Sequence, residues 1–300
     1  MNEAITFGDF FESKGKIYRI FTNYHPKGFF IGQYQYKIEK DKKLKKQKYT
    51  SNSAKLIPLN KIENYYKAIS CEGENDLYNY IYKKLKSIGI KKYGATGSYL
   101  LRHYGFKVWN EKSDLDIIVK GRRNTKILMK KINYLYDKKF KDYSLNNGLL
   151  LDRRTNISKI KTDLKSIQLF ESKKPLGRID GRHVNITPTY SMRNKIMPGI
   201  YGKQYMDKGY VNLKVKIKRI DHSNSVPGYY EIYKNPKYPN IKFLKTNIYY
   251  FSIGNKDLLK KEVKITASLL HNPFEKSEKY KDILEMDSRK GTCKFKMIVL

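Results

Sequence analysis

The chain is poor in cysteine. Cys71 and Cys293 are the only two in 300 residues, which excludes a disulfide framework and offers no zinc-ligand spacing, as in proteins of a reducing compartment. No apolar run approaches the ~18 residues that a membrane-spanning helix needs. The opening Met1-Asn2-Glu3-Ala4-Ile5-Thr6 has neither the charged n-region nor the apolar h-region of a secretory signal. A soluble cytoplasmic protein without a membrane partner is expected. Acid is scarce as well: 28 Asp and Glu stand against 63 Lys and Arg, for a formal charge of +35. A field of that sign favours a polyanion, most simply nucleic acid or nucleotide phosphate. The plain alternative is a solvated, lysine-rich surface, and the lysines are spread along the whole chain without defining a patch. A Walker-type phosphate loop is also missing, because Gly94 to Ser98 lacks the Gly-Lys-Ser/Thr ending.

What is present supports a core. Hydrophobic residues make up 40% of the chain, and its 27 tyrosines suit amphipathic packing or base stacking. The patterning suggests three parts: an N-terminal β module over 1–60, a core over 61–200, and a C-terminal β module with a tail over 201–300. In the first, Phe10-Phe11-Glu12 and Ile17 to Phe21 flank the hairpin signal Ser13-Lys14-Gly15-Lys16, and Phe29 to Tyr36 reads as a third strand. The basic run from Lys40 to Lys48 reads as a mobile loop, and residues 54–72 as a connector. In the core, Leu77, Ile81, Leu85 and Ile88 fall on one stripe of a helix over 74–88 that Asn75 or Asp76 can cap. Further helices are expected over 125–136, with Asn124 as cap, and over 157–170. Asp180-Gly181, between two short apolar runs, is a two-residue hairpin signal. In the last part Val211 to Ile217 alternates as a one-faced strand. Strands at 226–233 and 248–251 and a returning terminal strand over 294–300 follow.

The chemistry concentrates in two stretches. Tyr93-Gly94-Ala95-Thr96-Gly97-Ser98-Tyr99 reads as strand, glycine turn and helix start. Ser113-Asp114-Leu115-Asp116-Ile117-Ile118-Val119 reads as a buried strand opening on two carboxylates. Period-2 geometry puts Asp114 and Asp116 on one face. Two adjacent acids repel, and a hard cation such as Mg²⁺ relieves that repulsion while leaving room for substrate phosphates. The bland reading is a pair of strand-end carboxylates neutralised by lysines. Gly97 permits close approach of backbone N–H groups to a phosphate and Ser98 adds a hydroxyl donor; an ordinary N-cap serine is the alternative. His103 and His183 read as structural.

Gly97-Ser98 followed by Asp114-Leu115-Asp116, each at its strand, resembles the nucleotidyltransferases of the DNA polymerase β superfamily. The wider layout, from Gly8-Asp9-Phe10-Phe11 through Tyr229-Tyr230-Glu231, resembles archaeal predicted nucleotidyltransferases within it. The resemblance implies an α+β chain: a polymerase-β-like core of mixed sheet and flanking helices, with small β modules before and after. It implies transfer of a nucleoside monophosphate from an NTP to an acceptor: nucleic acid, protein or small molecule. Asp114 and Asp116 would bind Mg²⁺ or Mn²⁺, Gly97 and Ser98 the β/γ-phosphates, and Arg102 and Lys112 further phosphate oxygens.

The superfamily commonly has a third carboxylate on a later strand. Here that strand, Arg182 to Ile186, carries Asn185, whose amide can ligate a cation but cannot act as a base. Asp180, Asp152 and Asp163 are the other acids within reach of the pattern. The second reading is therefore a non-catalytic nucleic-acid-binding protein with a degenerate nucleotidyltransferase core.

Overall fold

The computed structural model describes residues 7–20, 28–47, 54–142, 176–189, 206–219, 228–246, 261–273, 278–286 and 296–299. The chain is a mixed α+β protein, mostly strand with few helices. No helix among the described residues is long and apolar enough to cross a membrane. The chain divides into two compact units, Met1–Tyr143 with Lys174–Ile196, and Ser144–Lys173 with Met197–Leu300.

In the first unit, β1 (Phe10–Ser13), β2 (Lys16–Ile20), β3 (Phe29–Ile38), β4 (Leu44–Lys46), β5 (Ala54–Pro58) and β6 (Asn64–Tyr66) form an antiparallel sheet. Its order is β4-β3-β2-β1-β6, with β5 also paired to β3. One face buries Phe10, Ile17, Tyr36 and Tyr66 against Leu100, Leu101 and Phe106 of the core. The buried Asp9 carboxylate accepts from the Ala68 amide at 2.8 Å and lies 3.5 Å from Lys120 Nζ. These ties make residues 7–66 part of the same unit as the core, so the break expected at 60/61 falls inside it. The basic run is also not the loop its composition suggests. Lys40–Lys42 form a 3₁₀ turn, and β4 pairs with β3. Lysine-rich strands carry little intrinsic β signal, so only the tertiary pairing reveals them. The connector over 54–72 likewise contains β5 and β6, which are too short and irregular to read locally.

Among its described residues this unit also holds a second sheet and three helices. α1 (Asp76–Ser87) is capped by Asn75, whose side chain accepts from the Leu77 and Tyr78 amides, and it buries Tyr78, Ile81, Tyr82 and Leu85. β7 (Tyr93–Ala95) leads to α2 (Gly97–His103), and β8 (Leu115–Lys120) to α3 (Arg122–Lys131). α3 begins three residues earlier than expected. Gly121 at φ +96 precedes it, and Asn124 is no cap but a buried strut, donating to the Lys120 carbonyl at 2.8 Å and accepting from the Lys91 amide at 3.3 Å. A 3₁₀ turn, Ile132–Leu135, ends the helical stretch. β9 (Lys141–Asp142), β10 (Leu176–Ile179) and β11 (Arg182–Thr189) complete the sheet in the order β7-β8-β11-β10-β9. The β10–β11 hairpin turns on Asp180 and Gly181 at φ 48 and 76, the backbone that a type I′ turn requires. β8 and β11 run parallel at the centre. Leu115, Ile117, Val119, Val184 and Ile186 pack there against Tyr82, Leu85 and Leu128. The helix expected over 157–170, with Asp152 and Asp163, lies outside the described residues.

The second unit contains β12 (Met206–Arg219), β13 (Gly228–Ile232), β14 (Phe243–Thr246), β15 (Glu262–His271), a short helix α4 (Glu278–Lys281), β16 (Asp282–Met286) and β17 (Lys296–Val299). The order is β12-β13-β14-β16-β15, and a further β12–β15 pairing closes the ring. β14 and β16 are parallel; the other pairs are antiparallel. Leu213, Val215, Ile217, Tyr230, Leu244, Val263, Ile265 and Leu284 fill the interior, as side chains do in small closed barrels. The terminal strand pairs back on β15 as expected; the strand expected over 248–251 lies outside the described residues.

Candidate active site

Asp116 is where the first unit's long-range geometry converges. Its neighbours in β8, Leu115 and Ile117, are fully buried, so alternation turns Asp116 to the other face, half-buried at the mouth of the strand. Parallel pairing sets it level with Asn185 of β11. The Asn185 amide donates to Asp116 Oδ1 at 3.0 Å. On its other side the turn between β7 and α2 closes over it: the Thr96 amide donates to the Asp116 carbonyl at 2.9 Å. Gly97 sits at φ +68, and a Cβ built there would stand 2.4 Å from Asp116 Oδ2. The glycine is thus demanded twice, by backbone conformation and by the carboxylate pressed against it. Beneath the site, burial and then the Asp116 charge raise the Tyr78 phenol well above its ordinary range.

Asp114 lies one residue before β8 and is exposed. The turn ahead of it, Asn110 to Ser113, is tied by the Ser113 amide to the Asn110 carbonyl at 3.0 Å. Arg182, the first residue of β11, fixes the turn from outside. Its Nε and Nη2 donate to the Ser113 carbonyl at 3.2 and 2.9 Å. The same guanidinium lies 5.2 Å from the ring centre of Trp109, and the Arg102 guanidinium 4.8 Å from it. The Tyr99 ring meets Trp109 edge-on at 5.2 Å. The Trp109 Nε1 is buried without a hydrogen-bond partner among the described residues.

Of the residues singled out from sequence, the structure joins Gly97, Asp116 and Asn185 directly. It links Arg102 to them through Trp109, Arg182 and the Ser113–Asp114 step. Lys112 is exposed in the Asn110–Ser113 turn, its amide held by Asn110 Oδ1 at 2.9 Å. Ser98 is half-buried beside Gly97 and makes no side-chain hydrogen bond among the described residues; the N-cap position of α2 belongs to Thr96. Asp180 is confined to its hairpin turn. Sequence reasoning missed Trp109 and Arg182. The one local signal was the chain's single tryptophan falling between the two motifs; the role of Arg182 depends on a pairing between strands about seventy residues apart.

Two groups of residues among those described carry metal-ligand chemistry. Asp114, Asp116 and Asn185 offer only oxygen donors, the set suited to a hard divalent cation. The space that a Cβ at position 97 would occupy lies against Asp116 Oδ2, so the carboxylate takes this position only because residue 97 is glycine. Cys71, Glu74 and His103 bring ligand atoms within 4.8 Å of one another. There, burial and then Glu74 push the Cys71 thiol up to about 12. A metal would have to displace that proton, and His103 is already paired with Glu74 at 3.2 Å. Comparisons with protein-family models, curated proteins and solved structures find no match.

Proposed function

We propose that the first unit is a metal-dependent nucleotidyltransferase, which moves a nucleoside monophosphate from an NTP to an acceptor hydroxyl. The observation that carries the reading is the parallel β8–β11 register, which sets Asn185 beside Asp116 with the carboxylate packed against Gly97. The resemblance to the polymerase β superfamily implies a third carboxylate on a later strand, and Asn185 stands in that place. The residues fit Mg²⁺ or Mn²⁺: Asp114 and Asp116 would bind through carboxylate oxygens, and Asn185 through its amide oxygen after a half-turn of the amide. Bound there, the ion would neutralise the triphosphate and lower the barrier to in-line attack on the α-phosphorus.

The chain's own groups do the positioning. Arg182 holds the Ser113 carbonyl and with it the backbone that carries Asp114. The Asn185 amide orients the Asp116 carboxylate. Arg102 and Lys112 would supply positive charge for phosphate oxygens. The acceptor oxygen forms its bond to the α-phosphorus as the bond to pyrophosphate breaks. Its proton passes to an acid of the pair or to solvent, since a neutral amide at 185 cannot take it.

That neutral amide is also the observation favouring a second reading, a nucleic-acid binder on a degenerate core. One experiment separates the two. The purified chain is incubated with Mg²⁺ or Mn²⁺, each labelled NTP, and acceptors that include total RNA and the protein itself, beside Asp116→Asn. Label transfer that vanishes in the variant supports the enzyme. Nucleic-acid binding without transfer under any condition supports the second reading.

A further inference from the structure

The geometry points to the second unit as a single-stranded nucleic-acid-binding barrel, with its site over the ends of β12 and β13 and the segment that leads into β14, independently of any nucleotidyl transfer. Five strands close in the order β12-β13-β14-β16-β15 and back to β12, with β14 and β16 the one parallel pair. β12 serves both of its edges: the Ile217 amide donates across to Lys261, while the Lys216 carbonyl accepts from Tyr233 on the other side. This connectivity is that of an OB-fold, the five-stranded Greek-key barrel whose second and third strands commonly carry oligonucleotides. Topology alone assigns no ligand, so the weight falls on what this site presents.

It presents a groove of about 420 Å³, running over the ends of β12 and β13, the segment leading into β14, and Glu278 of α4. Tyr233 lies in it, 41% exposed. Lys216 on the neighbouring strand sets its ammonium 5.8 Å from the Tyr233 ring centre. Of the cations along the groove, Lys218 is paired with Glu231 at 3.0 Å. The other acid, Glu278, is paired with Lys281 at 3.1 Å. Both carboxylates are thus neutralised by lysines. Lys234 and Lys242 remain exposed, with no carboxylate partner among the described residues. A concave track with a half-exposed π-face in its lining and uncompensated cations beside it suits a sugar–phosphate backbone whose bases are free to stack. A duplex hides its bases, and a membrane surface needs no groove.

The test is fluorescence anisotropy of the full chain with a labelled 15-nucleotide strand, within the ~4–16 nucleotides that such a barrel covers. RNA and DNA versions, the matching duplex and vesicles with anionic lipid are compared, all without metal or NTP. Tyr233→Ala should weaken single-strand binding at least ~5-fold, while Tyr233→Phe, which keeps the ring, stays within ~2-fold of the native chain. Lys234→Gln with Lys242→Gln should reduce the salt slope by about 1.4, on ~0.7 per phosphate contact. A charge-matched control, Lys37→Gln with Lys45→Gln in the first unit, should leave both affinity and slope nearly unchanged. Equal losses in the control would refer binding to net charge and overturn the inference, as would an indifferent Tyr233→Ala or tighter binding of duplex or vesicles. Binding is read here without metal or NTP at Tyr233, Lys234 and Lys242, and transfer by label incorporation, so that a failure of this inference is distinguishable from a failure of the transferase reading.

Discussion

Gly97→Ala is the sharpest probe of the acid site, because the structure separates its cost into two parts. The first is backbone. Residue 97 sits at φ +68, and holding an L-residue with a Cβ there costs roughly 1–2 kcal/mol. The second is contact. The new Cβ would meet Asp116 Oδ2 at 2.4 Å, so the carboxylate must swing away from Asn185. Losing a hydrogen bond to a charged group costs about 1.5–3 kcal/mol. Together the loss is ~2.5–5 kcal/mol, or roughly 5–20 °C in Tm for a unit of this size. A double-mutant cycle isolates the second part. In an Asp116→Ala background the obstructing oxygen and the bond to Asn185 are both gone and only the Cβ of residue 116 remains, 3.2 Å away, so Gly97→Ala should cost little beyond the ~1–2 kcal/mol of backbone strain. Urea unfolding of the four proteins gives the coupling directly. If Gly97→Ala costs the same in both backgrounds, the carboxylate contact is not what demands glycine, and the site geometry argued above is wrong.

Asn185→Asp would put a third carboxylate against Asp116 and replace an N–H donor by a like charge. Metal-free stability should fall by about 2 kcal/mol, and Mn²⁺ should recover it, raising Tm more than in the native chain; an equal Mn²⁺ response in both would count against metal binding there. The Cys71 thiol, buried and raised to about 12, should resist iodoacetamide at pH 8 in the folded protein and react once guanidinium unfolds it, read by mass spectrometry in a Cys293→Ser background; rapid native labelling would contradict the burial. Burial would raise the Asp137 carboxyl, but Lys84, the Tyr80 hydroxyl and the Phe140 and Lys139 amides outweigh it and hold it below its ordinary value. A depressed folded pKa stabilises above the unfolded value of ~3.9 and is lost as pH falls through the folded one. Urea midpoints should therefore drop below about pH 4, and Asp137→Asn should flatten that limb; an unchanged limb would remove Asp137 from the account.

What was legible in the sequence was local. Asn75 is read as a cap because its side chain serves amides two and three residues on. Asp180-Gly181 is read as a turn because the positive φ it needs is carried by those two residues. The strand opening on Asp114 and Asp116 is read from alternation that the burial reproduces. What failed was decided at a distance. Asn124 looked like a cap and is a strut to Lys91, thirty-three residues away. The lysine run looked like a loop and is a strand because β3 is there to pair with it.

The candidate site divides along the same line. Gly97, Asp114 and Asp116 announce themselves by residue type at the ends of elements. Arg182 does not, because its task, gripping the Ser113 carbonyl, exists only once β11 has paired with β8 across 69 residues. Arg182→Lys is accordingly more disruptive than its conserved charge suggests. A lysine keeps the positive charge, but one ammonium cannot reproduce both donations to Ser113 and a planar stack on Trp109. If Asp114 is held from behind by that grip, Arg182→Lys should weaken divalent-metal binding while leaving the β10–β11 hairpin intact, because the turn at Asp180-Gly181 does not depend on it. Metal affinity equal to that of the native chain would mean that the Ser113 loop holds its own shape, and would reduce Arg182 to a partner of Trp109.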